Sequence, residues 1–312
     1  MKDLWVDIYR PKKVDDYIFI NEDHKRRVLE WINVDKTTPH LLLSGPSGTG
    51  KTSLALMILS ELGVQDCDIL RINASAKNGV DYVRDTILNF SGMMPVGEYK
   101  YIILDECDHL SVPAQAALRG VIEENSDTTR FIMTCNYPHK IIPALHSRCQ
   151  SIHIDKLDKD SFIVKIANIL IDQNVDIDPD ILTTIVDDTY PDMRKCINTC
   201  QYHVVDGILT YNTNTISSSS DAMDKAAAMF RNGNFKAGRE YVCKNIAYEE
   251  YEDFYRFMYD NLSLWTENDD VKNGKVIIAI RDGLVKDVSV GDREINLSAT
   301  LVTLELIMKG IL

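Results

Sequence analysis

Nothing in this 312-residue sequence approaches the roughly 18 consecutive apolar residues that a membrane helix requires. The longest stretches, such as Ile102-Ile103-Leu104 and Val276 to Ile280, are far shorter. The opening Met1-Lys2-Asp3-Leu4-Trp5 also lacks the apolar core of a secretory signal. Positive charge is in deficit: 34 Lys and Arg stand against 47 Asp and Glu, for a net charge of −13. A polycationic protein that coats nucleic acid is therefore excluded. The deficit is concentrated after residue 150, so a local basic groove in the first half stays open. No C-x-x-C pair occurs among the seven cysteines, Cys67, Cys107, Cys135, Cys149, Cys196, Cys200 and Cys243. Cys196 and Cys200 share a helix face but have no second ligand pair, so reduced thiols are expected rather than zinc or a disulfide framework. With only 15 Gly and 9 Pro, collagen-like and low-complexity readings fall away. What is present is ordinary globular composition, 45% hydrophobic and 26% charged, in a length that suits two or three domains.

From residue 40 to 154 strand and helix patterns alternate. Apolar runs at His40 to Leu43, Ile69 to Ile72, Tyr101 to Leu104, Arg130 to Thr134 and Ile152 to Ile154 read as strands. Between them, Thr52 to Leu62, Val80 to Phe90 and the stretch from Pro113 to about Glu124 read as helices. Strands separated by helices imply an α/β fold with a parallel sheet. After about Asp155 strand signals stop, and helices are expected near 158–172, 178–188 and 191–205. Polar low-complexity residues 211–220 read as a linker. Beyond them, 221–312 is expected to be all-helical, with Phe254, Met258, Leu262 and Trp265 on one face. The layout is 1–154, 155–210, a linker, and 221–312.

Chemistry concentrates in Gly45-Pro46-Ser47-Gly48-Thr49-Gly50-Lys51-Thr52, which fits the phosphate-loop pattern G-x-x-x-x-G-K-[ST]. Glycines let backbone N–H groups of such a loop, here Ser47 to Gly50, turn toward phosphate oxygens. Lys51 would neutralise the β- and γ-phosphates of ATP, and Thr52 would place its hydroxyl on Mg²⁺. At the end of the third strand, Asp105 would hold the Mg²⁺ through water. Glu106 would polarise the attacking water.

These motifs, with Tyr9-Arg10-Pro11-Lys12 before them and Ser147-Arg148-Cys149 and Asp192-Met193-Arg194-Lys195 after them, follow the order found in sliding-clamp loader subunits. The sequence thus resembles AAA+ ATPases of the replication factor C type, over residues 5–200. Its short length and divergent last third are similar to the large loader subunit of T4-like bacteriophages. The resemblance implies a P-loop AAA+ domain, a helical lid and an all-helical collar. It places Tyr9 and Arg10 on adenine and ribose, with Ile8 and Ile18 nearby. Asn136 corresponds to a γ-phosphate sensor, and Arg194 to a second sensor that couples lid angle to nucleotide. Arg148 would reach the ATP of an adjacent subunit and complete its site in trans. Lys77, Arg84, Gln115 and Arg119 correspond to duplex-contacting positions; Gly120 departs from a family arginine. Implied partners are copies of the chain and a smaller loader subunit in a pentameric ring, the clamp, and primer–template DNA, in the cytoplasm (of the host, for a phage). Three rivals remain: a helicase, an AAA+ branch-migration motor, and a ring subunit that holds ATP without hydrolysing it.

Overall fold

The computed structural model describes residues 4–75, 80–211, 219–246, 248, 251–266, 269–287 and 290–311. Five strands, β1 (Leu41–Ser44), β2 (Ile69–Asn73), β3 (Lys100–Asp105), β4 (Thr129–Cys135) and β5 (Gln150–His153), form a sheet in the order β2-β3-β4-β1-β5. Every pairing is parallel. The strands read as unbroken apolar runs because both sheet faces are covered. Leu41, Leu43, Ile103 and Ile132 point into one core, while Leu42, Ile102, Leu104, Phe131 and Met133 point into the other, following the two-residue period of a strand.

The helices of this region are α1 (Trp5–Ile8), α2 (Glu22–Glu30), α3 (Lys51–Glu61), α4 (Val80–Ser91), α5 (Val112–Glu124) and α6 (Pro143–His146). Leu54 and Ile58 of α3 cover the first face; Ile87 of α4 and Leu118, Val121 and Ile122 of α5 cover the second. The first core runs on without a break into α7 (Lys159–Asp172), α8 (Pro179–Thr189) and α9 (Met193–His203), through Phe162, Ile166, Ile185 and Ile197. For that reason the sheet and these three helices form one compact unit ending at Tyr211.

Two expectations are corrected here. Strand structure does not stop at residue 155: β6 (Val204–Val205) and β7 (Ile208–Leu209) make an antiparallel hairpin, and α9 ends at His203 instead of 205. Asp206 and Gly207 between them both have positive φ, 52° and 80°, as a tight two-residue hairpin turn demands. The proposed linker is shorter at its far end, because Ser219 and Ser220 already belong to a helix; its residues 212–218 lie outside the described set.

The second unit is helical in its described residues: α10 (Ser219–Arg231), α11 (Phe235–Asn245), α12 (Tyr251–Asp260), α13 (Ser263–Thr266), α14 (Asp270–Asp287) and α15 (Arg293–Met308). Its core gathers Phe230, Phe254, Tyr255, Met258, Trp265, Leu297 and Leu301. A buried polar group lies within it. Asn296 Nδ2 donates to the Gly283 carbonyl at 2.8 Å, to Tyr255 Oη at 3.0 Å and to Asp287 Oδ1 at 3.4 Å. Arg293 Nε donates to the other oxygen of Asp287 at 2.6 Å. No helix among the described residues is long and apolar enough to cross a membrane.

Candidate nucleotide site

The chain leaves β1 at Ser44 and reverses through a glycine-rich loop into α3. Two of its glycines are required by space as well as by backbone angle. Gly45 has φ +143°, and a Cβ there would lie 2.0 Å from the Ile154 carbonyl oxygen. Gly48 has φ +72°, and a Cβ there would lie 1.8 Å from Asp192 Oδ1. Asp192 caps α9 through the Lys195 N–H at 2.8 Å, and Met193 N donates to the Gly48 carbonyl at 3.2 Å. The loop and the start of α9 are thus in direct contact. Lys51 opens α3 and is buried, its Nζ donating to the Gly45 and Pro46 carbonyls at 2.7 and 2.6 Å. Burial draws its ammonium below the usual lysine range, an effect opposed by Cys135, Asp108 and Asp192 nearby. A free helix N-terminus beside a buried cation is an anion site.

Across the loop, the end of β3 supplies the acids. Thr52 Oγ1 donates to Asp105 Oδ1 at 2.8 Å, Thr134 Oγ1 donates to the same oxygen at 3.2 Å, and Arg71 stands 3.6 Å from Oδ2. One hydroxyl and one carboxylate are hard oxygen donors, which fit Mg²⁺ shared with phosphates. Among the described residues no group of three His, Cys, Asp or Glu forms an all-protein cage. Glu106 sits at φ 57°, a left-handed conformation uncommon outside glycine, with its N–H held by Thr134 Oγ1 at 3.1 Å. Asp108 is buried and accepts from the Asn136 and Tyr137 N–H groups at 3.3 and 3.1 Å, so it fixes the turn that carries Asn136.

The loop opens onto a cleft at the carboxyl ends of the strands. Ser47, Gly48, Thr49, Gly50, Lys51 and Thr52 line its base, Glu106 and Asn136 one side, and Tyr9, Arg10 and Ile18 another. Arg194 enters from α9. Tyr9 is tied to the helical region: its hydroxyl donates to Asp172 Oδ2 at 2.5 Å and accepts from Gln173 Nε2 at 2.7 Å. Burial and then Asp172 raise its pKa. Arg10 lies 3.6 Å from Asp7.

Two candidates are placed elsewhere. Ile8 is exposed and does not line the cleft; Val6 does. The two residues stand about 200° apart around the single turn of α1, so both cannot face the same way. Gln115 is buried and committed: its Nε2 donates to the Leu110 and Lys140 carbonyls, both at 3.1 Å, and its Oε1 accepts from Ile142 N at 2.9 Å. It ties the turn before α5 to the segment between β4 and α6 and is not available to a nucleic acid. Arg119 is exposed on α5. Arg84 is on α4 with its side chain outside the described set, as is the whole of Lys77. Arg148 lies away from the cleft, pairing with Glu123 through Nε at 2.6 Å and through NH2, while NH1 donates to the Ala144 carbonyl at 2.7 Å. Sequence reasoning missed Val6, Tyr17, Lys165 and Met193 in the cleft wall. Of these, Met193 stands inside the Asp192-Met193-Arg194-Lys195 motif, and Tyr17, an aromatic whose ring edge lies 3.2 Å from where a Cβ on Gly50 would be, stands next to Ile18.

A parallel five-stranded sheet with this loop at its β1–α3 turn defines a P-loop domain of the AAA+ class, followed by helices. Residues 41–156 match the family described as "ATPase family associated with various cellular activities (AAA)". The Thermotoga maritima RuvB Holliday junction branch migration motor has a similar fold, with a TM-score of 0.55 at 20% identity over 66% of this chain and 70% of that one. At that identity the likeness concerns fold alone. The replication factor C small subunit of Picrophilus torridus is 41% identical over 205 residues, 64% of either chain. That of Methanococcus vannielii is 32% identical over 255 residues, 78% of this chain and 79% of the relative. Human replication factor C subunit 5 is 38% identical over 203 residues, 63% and 59%. The chain belongs to the replication factor C small-subunit family, while spanning 64% of the length of the Picrophilus relative.

Proposed function

We propose that this chain is an ATP-hydrolysing subunit of a sliding-clamp loader, which opens a ring-shaped clamp and sets it on primer–template DNA. The observation that carries the reading is a single cleft in which Lys51, Glu106, Asn136 and Arg194 converge, with α9 resting on Gly48. Loop N–H groups and Lys51 hold the β- and γ-phosphates, and Tyr9, Arg10 and Ile18 hold the nucleoside. Mg²⁺, when bound at Thr52 and Asp105, supplies positive charge against the phosphates. Glu106 orients a water toward the γ-phosphorus and withdraws its proton as the bond to the bridging oxygen breaks. Asn136 and Arg194 meet the γ-phosphoryl group. Because Arg194 and Asp192 stand on the same first turn of α9, occupancy of the cleft is transmitted to the helical region.

Arg148 acts on the cleft of a neighbouring subunit, its guanidinium compensating charge that develops on the transferring group. Copies of the chain and a smaller subunit form a pentameric ring, whose inner surface follows the duplex phosphates through Lys77, Arg84 and Arg119. Among loaders, the large subunit of T4-like phages is the finer reading, supported by a last third in which no loader motif is recognised. The RuvB-like fold does not favour a branch-migration motor, since it is shared at 20% identity. The test is ATP turnover of the assembled chain with candidate clamp, with primed DNA, and with both. Stimulation that needs both is expected; a rate indifferent to the clamp overturns the loader.

A further inference from the structure

Glu123 is the residue to which the structure assigns a further role, and the assignment rests on the proposed in-trans action of Arg148. We infer that Glu123 is a positioning residue that holds the Arg148 guanidinium against its own chain until a neighbour's triphosphate takes it. Three observations carry this. First, Nε and NH2 of Arg148 both donate to Glu123 Oε1, the former at 2.6 Å, and NH1 donates to the Ala144 carbonyl at 2.7 Å and to Ser147 Oγ at 3.3 Å. All three guanidinium nitrogens are thereby engaged by acceptors of the same subunit, and none of that geometry serves a phosphoryl group elsewhere. Second, the side chains are 31% and 47% exposed, so the pair is weakly held and open to exchange. A multiply charged triphosphate outcompetes one carboxylate for a forked donor. Third, Glu123 belongs to the last turn of α5, where a negative charge opposes the helix dipole and gains from a cationic partner.

Arg119 lies one turn before Glu123, four residues away and on the same side of α5. A duplex phosphate bound at Arg119 would stand one helical turn from the carboxylate that holds the guanidinium.

The test compares Glu123→Gln, Glu123→Asp, Arg148→Ala and Glu123→Gln/Arg148→Ala in the assembled ring, reading kcat and KM for ATP with and without primed DNA. Glu123→Gln is expected to raise kcat without DNA by roughly two- to fivefold, the span of an exposed ion pair. KM and the DNA-stimulated rate should stay as in wild type, and Glu123→Asp should return the unstimulated kcat toward it. In the double variant the increase should vanish. An unstimulated kcat that is unchanged or lowered in Glu123→Gln, or an increase that persists without Arg148, overturns the latch. A ring that turns over normally with Arg148→Ala overturns the in-trans reading itself; loss in Arg148→Ala beside an unchanged Glu123→Gln overturns the latch alone.

Discussion

The two units of the chain bury polar groups for opposite reasons. In the first, Lys51, Thr52, Glu106 and Asn136 are gathered at the carboxyl ends of the inner strands and open onto a cleft, with loop and helix ends turned toward it. In the second, Asn296, Tyr255, Thr300, Asp287 and Arg293 satisfy one another inside a helical core. Polar atoms arranged around a space point to a ligand; polar atoms closed on themselves fix how helices sit. The histidines divide in the same way, because all seven precede residue 204 and none belongs to the second unit.

The comparison breaks most sharply at Glu106. Glu106→Gln should lower turnover of the assembled protein by about 10²–10⁴ while leaving nucleotide affinity nearly unchanged; a loss under tenfold in phosphate release removes Glu106 from proton transfer. Next is Gly48→Ala, which imposes a positive φ on a side chain and drives its Cβ into Asp192. About 1–3 kcal/mol of stability in the first unit should disappear. Adding Asp192→Ala should recover more than the single variants predict, as a double-mutant cycle on urea unfolding would show. For the second unit, Asn296→Ala leaves the Gly283 carbonyl and Asp287 without their shared donor. That change should cost about 1–3 kcal/mol there and leave nucleotide binding intact. Weaker ATP binding in that variant would erase the division between the units.

The smallest effect concerns acid. Burial lowers the pKa of His24 to about 4, and burial lowers that of His40 likewise to about 4, where Nδ1 accepts the Phe131 N–H at 3.2 Å. The unfolded chain takes up these protons near pH 6.5 and the folded chain only near 4. Stability from these residues is therefore complete above about pH 6.5 and falls as the pH drops toward 4. Between pH 7 and 5.5 the loss from His24 should reach about 1 kcal/mol at most, after solvent screening. Hydrogen exchange resolved by unit should show it in the first unit and not in the second. A His24→Phe variant should flatten the slope.

What could be read in the sequence follows the same line. The phosphate loop and the Asp105-Glu106 strand end are legible because phosphate chemistry admits few residue types at fixed spacing. The five strands are legible because both faces are apolar. The hairpin at Val204–Leu209 escaped because its strands are two residues long, although Asp206-Gly207 announces the turn. Helix α2, capped by Asn21 through the His24 N–H at 2.8 Å, was hidden by its charged surface residues. Gln115 misled because an amide on a helix looks alike whether it meets a ligand or three backbone groups. Asn296 carried no signal, since its partners come from two other helices, α12 and α14, brought together only by folding.

The contact between Gly48 and Asp192 has a consequence for how such a chain can change over generations. A side chain gained at 48 demands a shorter residue at 192, and a bulkier residue at 192 leaves glycine as the one tenant of 48. Two positions remote along the polypeptide therefore behave as a single heritable choice. The gearing between ligand and helix survives only while both members keep step.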